Sequence, residues 1–149
     1  MTDPRPSRDQ SAVIRAILGE TKRIAVVGAS DDPEKPSYGV VATLVETGYD
    51  VVPVNPKATQ VQRMHVAPSL ADVTGPIDLV DVFRRPEHVP DVVREAIDAG
   101  ARAVWVQLGI VSDEGRALAD EAGIPYVDDV CLGATVRELR GSTPLPPRP

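Results

Sequence analysis

Five short apolar runs punctuate this chain, at Ile24 to Val27, Val51 to Val54, Ile77 to Phe83, Ala103 to Val106 and Ile124 to Val127. Between them the apolar residues recur at helical spacing. Short continuous runs bounded by turn residues read as strands buried on both faces, and strands alternating with helices must lie parallel, because only a crossover returns the chain to the same end of a sheet. Such crossovers are right-handed and cover both sides. The expected fold is α/β: a doubly wound parallel sheet of about five strands with helices on both faces, in a single domain.

The helical segments carry their own punctuation. Val13, Ile14, Ile17 and Leu18 fall on one face of a lead-in helix that stops at Gly19, and Val40, Val41, Leu44 and Val45 precede Gly48. Residues 87–99 form a third helix, with Pro90 in its first turn and Gly100 past its end. Ser112 caps a fourth, with Leu118 and Ala122 on one face, and Val136 with Leu139 marks a short last one. A linker before the third strand holds SLAD, a capping box from Ser69 to Asp72.

A chain of 149 residues suits one core. The expected division is an extended N-terminus over 1–9, the domain over 10–141 and a proline-rich tail over 142–149. Sixteen basic against twenty-two acidic side chains leave a formal charge of −6, which disfavours general affinity for nucleic acid or an anionic membrane. An anion site must therefore be local. The polar start has no signal-peptide centre, and no run reaches the length of a spanning helix, so the expected compartment is cytoplasmic. A single cysteine, Cys131, permits no intrachain disulfide, and the two histidines lack metal-ligand spacing.

In doubly wound sheets ligands sit beyond the carboxyl ends of the strands, where strand order reverses. After the first run comes GASDDPEKPSYG, in which Gly28 permits a tight turn and the amides from Ala29 onward, with the helix start near Ser37, face an anion. The spacing departs from G-x-G-x-x-G, since Ala29 and Ser30 follow Gly28 and the next glycine is Gly39. After the second run stand Asn55, Pro56 and Lys57. A dinucleotide site of the usual kind has an acid there for the ribose hydroxyl, whereas a lysine suits a ribose bearing a phosphate. Two ligands fit that description, NADP and coenzyme A. After the third run Phe83, Arg84, Arg85 and Pro86 offer an aromatic face, two guanidinium groups and a rigid turn, suited to an adenine ring and its phosphates. Gln107 ends the fourth run, to bond a ligand or to satisfy backbone groups.

Each of these has a plainer alternative: Gly28 as a mere strand terminator, Lys57 as a solvated cation, the two arginines as members of a salt-bridge network. Asp81, inside an apolar strand with no visible catalytic partner, is expected to bond neighbouring backbone or to lie near a sheet edge. Catalysis at Cys131 is not expected, since nothing near it in sequence lowers a thiol pKa.

The segments IAVVGAS, KPSYGV, GYDVVPVNPK, PSLADV, IDLVDVFRRPEHV, AVWVQLGI and VDDVC, in that order, resemble the stand-alone coenzyme A-binding proteins. Their Rossmann-like domain is related to the nucleotide-binding part of the succinyl-CoA synthetase alpha subunit. The resemblance covers roughly residues 11–140. It implies that Gly28, Ala29 and Ser30 approach a pyrophosphate, with Lys35, Ser37 and Tyr38 as further contacts. It implies Asn55, Pro56 and Lys57 beside the ribose and its 3′-phosphate, Phe83, Arg84, Arg85 and Pro86 beside the adenine and phosphates, and Gln107 with Gly109 as the remaining wall. Many relatives carry a histidine after the counterpart of Cys131 and a glycine in the linker; here CLGATVREL has no histidine and VQRMHV no glycine, the latter expected to be only a loop change. The leading expectation is a small non-catalytic or accessory module that binds coenzyme A or an acyl-CoA. The alternative is an NADP(H)-binding oxidoreductase or an NAD(P)-sensing domain, since Lys57 also suits a 2′-phosphate.

Overall fold

The structure, a computed structural model, describes residues 10–140. The extended N-terminus and the proline-rich tail expected from sequence lie outside the described residues. In chain order the elements are α1 (Ser11–Glu20), β1 (Arg23–Val27), α2 (Pro36–Glu46), β2 (Asp50–Val54), β3 (Gln60–Val61), β4 (Met64–His65), β5 (Leu79–Val82), α3 (Val89–Asp98), β6 (Val104–Val106), α4 (Asp113–Ala122), β7 (Tyr126–Val127) and α5 (Leu132–Arg140). Two 3-10 turns, Leu70–Asp72 and Pro86–His88, precede β5 and α3.

The five main strands form one parallel sheet in the order β2-β1-β5-β6-β7. The doubly wound expectation is met. Alternation along each strand sends Ile24, Val26 and Leu79 to one face and Ala25, Val27 and Val80 to the other. The first face is covered by α1, α2 and α5 through Leu18, Val41 and Leu132, the second by α3 and α4 through Val92, Val93 and Ala119. Each of the valine, leucine and isoleucine side chains among these contributes roughly 1.5–3 kcal/mol on burial. Pro53, which has no N–H to donate, stands in β2 at the edge of the sheet, where that lack is tolerated. The chain leaves β1 toward one side to make β2 and returns past β1 to make β5, so strand order reverses between β1 and β5. That is where a crevice opens.

Several local expectations need correction. Helical period was legible but its phase was not: Val13, Val45 and Leu139, assigned to apolar faces, are 39%, 47% and 46% exposed. In α4 the buried face centres on Gly115 and Ala119, while Ala122 is exposed. The Ser112 cap is present, its Oγ accepting from the Gly115 amide at 3.0 Å. At SLAD the box closes on itself instead, Ser69 Oγ donating to Asp72 Oδ2 at 2.8 Å, over a single 3-10 turn. The linker VQRMHV is not a simple loop. It makes the antiparallel hairpin β3-β4, turned by Gln62 (φ 49°) and Arg63 (φ 68°). Left-handed backbone costs side-chain-bearing residues roughly 1–2 kcal/mol each.

Candidate functional site

The carboxyl ends of β2, β1 and β5 are locked in a row by bonds that continue the parallel register past the strands. Gly28 N donates to Val54 O at 3.0 Å, and Phe83 N donates to Val27 O at 2.9 Å. Gly28 is at φ +88°, and a Cβ placed on it would run into the carbonyl oxygen of Phe83. The residue is thus required twice, for the turn and for the close approach of β1 to β5 at the reversal point. Its role exceeds that of a strand terminator.

Asn55 is a strut. Its Nδ2 donates to Ala29 O at 2.8 Å and its Oδ1 accepts from Lys57 N at 2.8 Å, so one side chain ties the loop after β1 to the turn that carries Lys57. Of the two roles open to it from sequence, the structure shows the loop-holding one. The loop after β1 folds through local bonds: Ser30 Oγ accepts from Asp32 N at 3.0 Å, Asp32 Oδ1 from Glu34 N at 2.9 Å, and Asp32 O from Lys35 N at 3.0 Å. Then α2 begins with Lys35 at its N-cap, Pro36 in its first turn and no side-chain cap.

Two adjoining hollows open over this row of strand ends. One, about 420 Å³, lies toward α3 and is lined by Lys57, Arg84 and Pro56 together with Ser69 and Glu95. The other, about 500 Å³, lies toward α2 and is lined by Ser30, Lys35, Ser37, Phe83, Arg85 and Pro86, with Ile110 opposite. Gly28, Asn55 and Arg84 line both, so the hollows meet at the reversal point. Their volumes fall in the range of small-molecule sites. Lys35, Lys57, Arg84 and Arg85, which are remote in sequence, are thereby gathered along one rim. Among the described residues no hydrogen bond or ion pair engages any of these four side-chain cations. The salt-bridge network that would have explained the two arginines is absent there. Ser37 adds a further unsatisfied group: it is 2% exposed, and its Oγ has no hydrogen-bond partner. Buried hydroxyls normally have one.

Four residues singled out from sequence do not line either hollow. Ala29 is buried in the core and reaches the loop only through its carbonyl, which Asn55 already engages. Tyr38 offers its carbonyl to Gln62 Nε2 at 2.8 Å. Gln107 is 4% exposed and turned inward, donating from Nε2 to Asp81 Oδ1 at 2.6 Å. Gly109 donates its N–H to Asp129 Oδ1 at 2.7 Å. The expectation for Asp81 is overturned on both counts: it lies in β5, the central strand, fully buried, and its partner is a side chain. Its Oδ2 has no partner, and burial pushes its pKa up to about 8, against the lowering effect of the Gln107 bond. Glu95 and Ile110 are wall residues that the sequence did not single out, and Ser69, read there as a cap, is a third. Which face α3 turns to the sheet decides Glu95, and no local signal carries that.

Among the described residues no group of three His, Cys, Asp or Glu side chains could hold a metal ion, and no helix is long and apolar enough to cross a membrane.

Residues 22–137 match the family model described as a CoA binding domain. The chain is 39% identical over 121 residues to the uncharacterized protein YneT of Bacillus subtilis (strain 168), covering 81% of this chain and 90% of that one. It is similar in structure to a hypothetical protein from Pyrococcus horikoshii OT3, with TM-score 0.84, 38% identity and coverage of 93% of this chain and 99% of the other. It is also 29% identical over 121 residues to the alpha subunit of an ADP-forming acetate–CoA ligase II of Pyrococcus furiosus, covering 74% of this chain but only 26% of the subunit. The chain therefore spans about a quarter of that subunit's length.

Proposed function

The chain belongs to the CoA-binding domain family, and from that premise we propose that it binds coenzyme A or an acyl-CoA as a small accessory module without chemistry of its own. The observation that carries the reading is the rim: four cations, none engaged by another side chain among the described residues, around two hollows that meet where strand order reverses. A molecule of formal charge −6 that keeps four such groups together is suited to a ligand with several phosphates.

In this reading the hollow with Lys57 and Arg84 takes the adenosine end and its 3′-phosphate. The hollow with Lys35, Arg85 and the uncapped start of α2 takes the pyrophosphate, where the helix dipole favours negative charge. The orphan Ser37 hydroxyl fits the same group, since rotation about χ1 gives it a phosphate oxygen as partner. Phe83 and Ile110 supply apolar wall for the arm that follows. Arg84, common to both hollows, couples the two ends of the ligand. A lone cysteine and a soluble nucleotide ligand agree with a reducing, cytoplasmic setting.

Coenzyme A and NADPH titrated separately into the protein test the reading. We expect saturable binding of coenzyme A and none of NADPH. NADPH binding without coenzyme A binding would reverse the assignment in favour of a 2′-phosphate site.

A further inference from the structure

The two-residue connection between β3 and β4 uses Gln62 and Arg63 in a conformation that glycine and asparagine normally fill. A two-residue hairpin turn itself demands positive φ at both central positions, but glycine or asparagine would meet that demand with less strain, and β3 and β4, of two residues each, pair with one another outside the main sheet. What the turn does is bring Gln62 against the loop after β1. The Gln62 backbone N–H donates to Asp31 Oδ1 at 2.8 Å, and its side-chain Nε2 donates to Tyr38 O at 2.8 Å. These two acceptors bracket the segment that carries Lys35 and Ser37 into the second hollow.

Residues 31–36 are all exposed, and the bonds within them join positions two or three apart. Such bonds set the local shape of a loop but not its position over the sheet. Among the described residues, the Asp31 contact to Gln62 is the one hydrogen bond that ties 31–36 to a distant part of the chain. A side-chain-bearing residue kept at such a strained position, with its hydrogen bonds made to the loop after β1 and to the first turn of α2, points to a role at that junction. We propose that Gln62 is a positioning residue for the ligand loop: through its two donors it holds residues 31–38 in their binding shape before ligand arrives. The ordering cost then falls on folding, not on binding. The ligand half of this inference rests on the coenzyme A reading above; the brace itself does not.

Gln62→Gly separates the two roles, because glycine suits the left-handed backbone and keeps the N–H to Asp31 while losing the bond to Tyr38. Asp31→Ala removes the other bond, and Asp31→Asn retains an acceptor. Hydrogen exchange at residues 31–38 in the ligand-free protein, global stability in urea and calorimetric coenzyme A binding are measured for all three. For Gln62→Gly we expect stability equal to or above that of the wild type, exchange about tenfold faster in the segment, and affinity about five- to tenfold weaker with a less favourable binding entropy. Asp31→Ala should behave likewise in exchange and affinity, and Asp31→Asn should stay near the wild type. Unchanged exchange in both Gln62→Gly and Asp31→Ala overturns the brace. Faster exchange with unchanged affinity overturns its role at the ligand. If the wild type binds no coenzyme A, the reading of the site fails, while the exchange rates still decide the brace.

Discussion

The two ends of the same sheet use charge differently. At the amino end, Arg23 of β1 forms an ion pair with Asp50 of β2 at 3.3 Å and donates to Pro76 O at 3.1 Å. Asp78 Oδ2 accepts from Lys22 N at 3.0 Å and Arg23 N at 2.9 Å. Those charges hold strand starts in register. At the carboxyl end Lys35, Lys57, Arg84 and Arg85 line a shared rim and engage no other side chain among the described residues. Four cations with no ion-pair partner among those residues, and with a single carboxylate, Glu95, in the walls around them, repel one another, so on the proposed reading the rim is a cost to the folded state that a polyanionic ligand would relieve. The same backbone register thus carries a stabilising end and, on the proposed reading, a receptive one.

Four variants sharpen or break that contrast, and the largest effect is expected at a residue belonging to neither end. Asp81, midway along β5, keeps its proton up to about pH 8 in the folded protein, whereas an unfolded aspartic acid ionises near 4. The Asp81 contribution to stability is therefore full below about pH 4 and is lost as pH rises toward 8, by several kcal/mol in all. Asp81→Asn should abolish most of that slope in urea denaturation followed from pH 5 to 8 and make the protein more stable at pH 8. Equal slopes in both proteins would show that Asp81 is not held neutral.

Gly28→Ala comes next, because the added Cβ meets the Phe83 carbonyl and the backbone is left-handed. We expect a loss of about 2–4 kcal/mol in denaturant midpoint experiments, together with loss of ligand binding. Retained stability with lost binding would make Gly28 a ligand contact alone. The Arg84→Ala/Arg85→Ala double variant should weaken coenzyme A binding by about a hundredfold, roughly 2.7 kcal/mol, with stability unchanged or slightly raised. A marked loss of stability instead would mean that this end, too, is structural. The smallest effect is at the amino end: Asp50→Asn should lower stability by less than about 1 kcal/mol, as expected for a partly exposed pair, and leave binding untouched.

How legible the molecule was in its sequence depended on whether a feature is written locally. Apolar runs ended by Gly28 or by Phe83, Arg84 and Arg85 announce strands and their ends, and the strand-helix alternation then places those ends on one rim by topology alone. Ser112 was legible because a cap and its amide lie three residues apart. Features set by packing were not legible. Helical spacing has a period but no phase, which is why Val45 and Leu139 face outward. Two-residue strands such as β3 and β4 carry no period to detect. Gln107 stands at a strand end and so reads as a rim residue, yet it turns in to Asp81, a pairing 26 positions away that depends on β5 and β6 being neighbours. Glu95 entered the wall by the same kind of tertiary accident.

The central claim, that the cationic rim receives a phosphorylated adenosine, is tested most directly by isothermal calorimetry of coenzyme A against dephospho-coenzyme A, on the wild type and on Lys57→Ala. The account predicts that the wild type favours coenzyme A by about ten- to a hundredfold, the worth of one charge-assisted contact, and that Lys57→Ala loses most of that preference. Equal affinity of the wild-type protein for the two ligands would contradict it.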